Sequence, residues 1–166
     1  MTDEIEIHVV DAGEDARMAV LAMIRRYVGE DAVLEHDEYG APVLSGGGNR
    51  YISVSHSANF AAIALHPDRR IGVDVEEDRP EQLRRVKHKF LSDRDAAMWD
   101  SRLLEAWTCK EAVYKAAGQP GLPLREIALG SGDVAVIPDG RRFAMSTRRV
   151  SPDCVLTVAI EIFPNI

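Results

Sequence analysis

A chain of 166 residues, 46% of them hydrophobic and 28% charged, has the size and balance of one folded domain or two small fused halves; disorder, fibrous structure and a disulfide scaffold are excluded by that composition. The formal net charge of −7 argues against sequence-independent binding to nucleic acid or an anionic membrane, which both rest on accumulated Lys and Arg. An anionic ligand must therefore be met by local cations or a metal.

EIEIHVV at residues 4–10 alternates as a strand, and EDARMAVLAMIRRYVG follows as a helix with acids in its first turn, Arg25 and Arg26 in its last and Gly29 as its stop. VLEHDEYGAPVL carries a Tyr-Gly turn signal, SGGGN is a loop, and YISVSHS and FAAIALH are short strands leading into RIGVDVEE. The period changes beyond Pro80. Leu83, Val86 and Phe90 recur at helical spacing, and Ser92 followed by Asp95 resembles a capping box that opens a helix running towards Gly118. IALG, VAVIP, RFAMSTRR and CVLTVAIEIF close the chain as an antiparallel meander with a turn at Pro138-Asp139-Gly140. Strand, helix and strands thus occur twice, which predicts an α+β protein of two similar small halves, about 1–68 and 69–166, joined near residues 66–72.

Cys109 and Cys154 stand far apart without a Cys-x-x-Cys or Cys/His pattern, so neither a disulfide framework nor a structural zinc site is expected, and a cytoplasmic setting is. MTDEIEIHVV is acidic with a short apolar run, and no stretch approaches the ~20 apolar residues that span a bilayer. No targeting signal and no membrane association are expected.

Three stretches carry candidate chemistry. In IGVDVEE, strand alternation projects Asp74 and Glu76 together, with Val73 and Val75 opposite. In WTCKEAVYKAAG, Glu111 and Lys115 stand four apart and share a helical face with Leu104 and Thr108; alone they are an ordinary helix pair worth roughly 0.2–0.5 kcal/mol. Two carboxylates on a strand, a third on a helix and Lys110 and Lys115 beside it are hard oxygen ligands and cations suited to Mg²⁺ and phosphate oxygens. In YISVSHSANF, Ser55, His56 and Ser57 offer groups that can donate to a phosphate, or form a polar turn; adjacency of Ser and His does not make a nucleophile triad.

VSHS, IGVDVE, FLSDRD and WTCKEAVYK, in that order within residues 51–124, resemble the motifs of the 4′-phosphopantetheinyl transferase superfamily. The similarity is to the larger, pseudo-two-fold members that activate peptide and polyketide synthases more than to the small trimeric holo-acyl-carrier-protein synthases. The resemblance implies two halves packed as a pseudo-dimer, hence a monomer. It also implies Mg-dependent transfer of the phosphopantetheine arm from coenzyme A to a serine of an apo carrier protein, releasing adenosine 3′,5′-bisphosphate. Carried over by motif, Asp74, Glu76 and Glu111 would hold Mg²⁺ against the pyrophosphate, and Ser55 with His56 would bind the nucleotide phosphates. Lys115 would face the transferred phosphate, so Asp74 and Lys115 also meet coenzyme A. Glu111 would be the base for the carrier serine. Lys110 would assist less, pointing about 100° away from Glu111 on the helix.

Three positions depart from the family pattern. The larger members carry a longer N-terminal region with a basic cluster, where here a helix begins almost at once. Gly40-Ala41-Pro42 stands where Gly-Lys-Pro is common, removing a cation that Arg17 or Arg50 is expected to replace. Asp95 stands where glutamate is usual, with no ligand role. Two other functions fit part of the pattern: a non-catalytic coenzyme A or carrier-protein binding module, and a Mg-dependent phosphodiesterase or nuclease. Retention of all three carboxylates and Lys115 argues against the first, and the acidic balance against the second. Trp99 and Trp107 are expected in a core or interface, Gly46-Gly47-Gly48 as a loop, and His8, His36, His66 and His88 without chemistry. Arg69-Arg70 and Arg141-Arg142 are expected on solvated faces, whereas Arg84, Arg85, Lys87 and Lys89 on one helix suit an acidic carrier.

Overall fold

The structure, a computed structural model, describes residues 4–163; residues 1–3, part of the stretch read as lacking a targeting signal, and 164–166 lie outside the described residues. Strand β1 (Glu6–Asp11) leads into helix α1 (Ala16–Tyr27), then strands β2 (Val33–His36), β3 (Pro42–Ser45), β4 (Tyr51–His56), β5 (Phe60–His66) and β6 (Ile71–Glu77). Helices α2 (Pro80–Phe90), α3 (Asp93–Trp99) and α4 (Leu103–Ala117) follow, and β7 (Val134–Val136), β8 (Arg142–Ser151) and β9 (Cys154–Ile162) finish the chain. The class is α+β. One sheet runs β1-β5-β4, a second β6-β9-β8-β7, and β2 and β3 form a separate hairpin. In both larger sheets the first strand lies beside the last and the last beside the penultimate.

Two expected helices begin or end differently. Asp15 sits before α1 as its cap, accepting the Arg17 and Met18 N–H groups at 3.0 and 3.3 Å, so the acids precede the first turn. The helix expected from Ser92 to Gly118 is two, α3 and α4, broken at residues 100–102. Ser92 does cap, accepting Asp95 N–H at 3.1 Å, but the Asp95 carboxylate does not return to the cap. It turns inward instead, to the Lys110 ammonium at 2.9 Å. IALG forms no strand, only a bridge from Ala128 to Val136.

The two sheets meet along β4 and β6. No backbone ladder joins these strands; the Ser53 and Ser55 hydroxyls of β4 accept the Val73 and Val75 N–H groups at 2.9 and 3.0 Å. Buried backbone donors at the seam are thereby satisfied by side chains rather than by a neighbouring strand. Val73 and Val75 pack into an apolar layer with Ala62, Ala64, Leu156 and Val158, so the alternate residues of β6 must face the other way, towards α4.

Candidate active site

Gly72 is what lets α4 come close. A Cβ there would stand 1.9 Å from the Ala112 carbonyl oxygen and 2.8 Å from the Ala116 nitrogen, so the strand carries no side chain where the helix backbone crosses it. Two residues further on the same face is Asp74, and the next is Glu76. On the helix, Trp107, Glu111 and Lys115 recur every four residues along the stripe that meets this strand.

The contacts converge on Asp74, which is only 4% exposed. Its Oδ1 accepts from the Ser55 hydroxyl and the Lys115 ammonium, each at 3.3 Å. Lys115 also donates to the carbonyl oxygens of Val73 at 2.8 Å and Val54 at 3.3 Å, and so spans the seam between β4 and β6. Oδ2 of Asp74 is buried without a hydrogen-bond partner. Burial pushes the Asp74 carboxyl up to about 6; the Lys115 charge opposes that and the Glu111 charge adds to it. Burial likewise raises Glu76, with the Asp74 charge adding and the Trp107 indole opposing. Glu111 is raised by burial first; Lys115 lowers it and Glu76 raises it. Three carboxylates thus repel one another in a partly dry site with one ammonium among them.

Such a site is chemically suited to a small divalent cation. The donors are all carboxylate oxygens, the preference of Mg²⁺, and an unpartnered buried oxygen such as Asp74 Oδ2 is unfavourable without a cation or donor. Among the described residues, no three His, Cys, Asp or Glu side chains are already drawn together tightly enough to enclose a metal ion.

Lys115 is shared with an open cleft of about 530 Å³ whose walls include the β2–β3 turn at Asp37, Gly40 and Ala41, Val54, Ile71, Tyr114 and Gly118. The Asp37 carboxylate closes that turn by accepting the Tyr39 and Ala41 N–H groups at 2.9 Å each. Neither Arg17 nor Arg50 lines the cleft; Arg50 donates to Glu6 at 3.0 Å. Arg70, expected on a solvated face with Arg69, does line it.

Asp74, Glu76, Glu111, Lys115 and Ser55 lie together where β4, β6 and α4 meet. His56 is not among them: it follows Ser55, faces the opposite side of β4 and is exposed. Ser57 and Glu77 hold the turn between β4 and β5, with Glu77 accepting from the Ser57 hydroxyl at 3.2 Å and the Asn59 N–H at 2.9 Å. Lys110 lies across the helix from Glu111 and is fully buried against Asp95, which gives it a packing role. Trp107 packs edge-on against Phe90 at 5.1 Å and also flanks Glu76, an acid-facing role its core assignment missed. On α2, Arg84, Arg85 and Lys89 are exposed, whereas Lys87 is engaged by Asp100 at 2.7 Å.

No family model matches the chain. It is 29% identical over 146 residues to the 4′-phosphopantetheinyl transferase HetI of Nostoc sp., a match that covers 78% of this chain and 60% of that protein. The chain therefore spans less than two thirds of the length of the relative it matches.

Proposed function

We propose that this chain, whose membership of the 4′-phosphopantetheinyl transferase superfamily is supported by that match, transfers the 4′-phosphopantetheine arm of coenzyme A to a serine of an apo carrier protein. The observation that carries the reading is the convergence of Asp74, Glu76 and Glu111 beside Lys115, at the edge of an open cleft. In this reading Asp74, Glu76 and Glu111 hold Mg²⁺, a fit supported by the unpartnered Asp74 Oδ2. The chemistry such an ion supplies when bound is neutralisation of the pyrophosphate charge.

Glu111 takes the proton of the carrier serine hydroxyl, directly or through a water. The serine oxygen then bonds to the phosphorus that carries the pantetheine arm. The bond from that phosphorus to the bridging oxygen breaks, and adenosine 3′,5′-bisphosphate leaves with the electron pair. Lys115 supplies positive charge where negative charge grows on the leaving oxygen. Ser55 orients Asp74 through its hydroxyl and is assigned to the nucleotide phosphates. Arg84, Arg85 and Lys89 offer the carrier a basic helix face. The halves, about 1–68 and 69–166, are read as a pseudo-dimer from the shared strand order of their sheets; a monomer in the cytoplasm follows, in keeping with two free cysteines.

Single-turnover transfer at saturating coenzyme A tests the roles. Glu111→Gln and Lys115→Met are each expected to fold normally and to lose about 10²–10⁴ in rate. A helix pair alone would cost only roughly 0.2–0.5 kcal/mol of stability and leave transfer intact. Near-normal rates in both variants would refute the assignment.

A further inference from the structure

Strand β8 outruns its neighbour in the sheet. It is 10 residues long, whereas β7 has 3 and pairs only with Arg142, Phe143 and Ala144. The Met145 N–H is still taken up by the Asp133 carbonyl at 2.9 Å, but among the described residues no backbone pairs with β8 on that side from Ser146 to Arg149. Alternation turns the N–H and carbonyl groups of Thr147 and Arg149 the same way as those of Met145, towards this open edge. Ser146, Thr147, Arg148 and Arg149 are all exposed. At about 3.3 Å per residue, roughly 13 Å of strand edge offers unpaired backbone groups.

The edge is the floor of a cavity of about 460 Å³ that shares no residue with the cleft beside Lys115. One wall is the start of α4, with Arg102, Glu105 and Cys109; the other is the loop at residues 131–133. That loop is held in place, since the Trp99 indole donates to the Gly130 carbonyl at 3.0 Å and the Gly132 N–H to the Leu129 carbonyl at 3.1 Å. Gly132, at φ +109, lies so near the indole that a Cβ would stand 3.0 Å from it. A strand edge facing a helix across a preformed groove is an arrangement that takes up an extended peptide as an added strand.

Charge selects the occupant. Arg102, Arg148 and Arg149 line the groove against Glu105 and Asp133, a local excess of cation in a chain of net charge −7. Arg102 and Arg149 share the Glu105 carboxylate at 3.9 Å each, and among the described residues Arg148 makes no ion pair. A second copy added edge to edge would set Arg148 and Arg149 against their own counterparts, which like charge opposes. We propose that the Ser146–Arg149 edge binds an extended, acidic segment of a partner protein, which joins the sheet in line with β7. Its carboxylates meet Arg102 and Arg149 on the side of α4 and Arg148 on the other.

The experiment measures fluorescence polarisation of a labelled peptide of alternating threonine and glutamate, and of its lysine counterpart, with the parent protein, with Arg148→Glu plus Arg149→Glu, and with Arg25→Glu plus Arg26→Glu on α1, which makes the same change of net charge. The glutamate peptide is expected to bind the parent and the α1 variant alike, and to bind the β8 variant about tenfold or more weakly, as the lysine peptide does the parent. Amide hydrogen exchange of the parent is expected to slow about tenfold or more at Thr147 and Arg149 when the glutamate peptide is bound, and to stay unchanged at Arg148, whose N–H is turned to β9. Binding that leaves exchange at Thr147 and Arg149 unaltered would overturn strand addition, and equal weakening in both variants would reduce the effect to net charge. Equal affinity for the two peptides would overturn the acidic preference, and absence of binding by either would overturn the site. A parent protein that sediments as a dimer with Thr147 and Arg149 already protected would give the edge to a second copy and overturn the acidic partner.

Discussion

Replacing Gly72 with alanine adds one methyl group at the contact that brings α4 onto β6. Its Cβ would lie 1.9 Å from the Ala112 carbonyl oxygen, and ordinary contact begins near 3.4 Å, so helix and strand must part by about 3.4 − 1.9 = 1.5 Å. The obstacle is backbone, and no rotamer change relieves it. Overpacking of this kind costs about 1–3 kcal/mol, partly offset by about 0.4–1 kcal/mol from the stiffer unfolded chain. At about 2–4 °C per kcal/mol for a chain of this size, melting should fall by several degrees with the protein still folded at room temperature. Transfer should suffer far more. The same separation carries Glu111 and Lys115 away from Asp74, and a misplacement of about 1 Å in such a site can cost about 10²-fold. Thermal unfolding and single-turnover transfer, measured on one preparation below its melting range, check both numbers. A Gly72→Ala protein with parental melting and parental transfer would refute the close approach of α4 as the device that assembles the site.

The Lys110–Asp95 pair, at 2.9 Å and almost completely buried, predicts that Lys110→Met destabilises by about 3–5 kcal/mol through the unpaired carboxylate, and that adding Asp95→Leu recovers most of the loss; urea unfolding of the single and double variants measures both. Reversing exposed charges on α2, as in Arg84→Glu with Arg85→Glu, should raise the KM for an acidic carrier protein several-fold while coenzyme A affinity stays unchanged, which separate titrations of the two substrates would establish. His66 Nδ1 accepts the Asp68 and Arg69 N–H groups at 3.0 Å each. Burial first, and the Arg69 charge second, hold its pKa below the ordinary histidine value, against Glu4 and Asp68. The unfolded chain therefore binds a proton the folded one resists, so stability is to fall as pH drops from about 6.5 through the folded pKa; urea midpoints across that range should be flatter in His66→Gln.

Much of this was legible because period and chemistry coincide. The two-residue period of IGVDVEE puts Asp74 and Glu76 on one face, and the four-residue spacing in WTCKEAVYK puts Glu111 and Lys115 on another; apposing the two faces builds the cluster. Spacing leaves the partner of each face open. The crossing of β6 and α4 depends on Gly72, whose signal is a glycine inside an apolar strand, a mark of close backbone approach. Arg70 was masked by its neighbour, since two consecutive arginines read as a solvated face although Arg70 lines the cleft and Arg69 does not. The break at residues 100–102 was hidden by continuous helical periodicity across α3 and α4, and the Asp95 carboxylate that seemed to belong to a capping box is drawn off to Lys110 by a contact fifteen residues away. His56 illustrates the limit of motif adjacency: beside Ser55 in the chain, it lies on the other face of the strand.

The proposed transfer is tested most directly by incubating the protein with coenzyme A, magnesium and a panel of apo carrier proteins, then weighing the intact carriers. At least one carrier should gain the mass of a single phosphopantetheine group, at a serine whose replacement by alanine abolishes the gain, with adenosine 3′,5′-bisphosphate released in equal amount. A protein that binds coenzyme A and carrier but leaves every carrier at its original mass would contradict the transfer and leave a binding module.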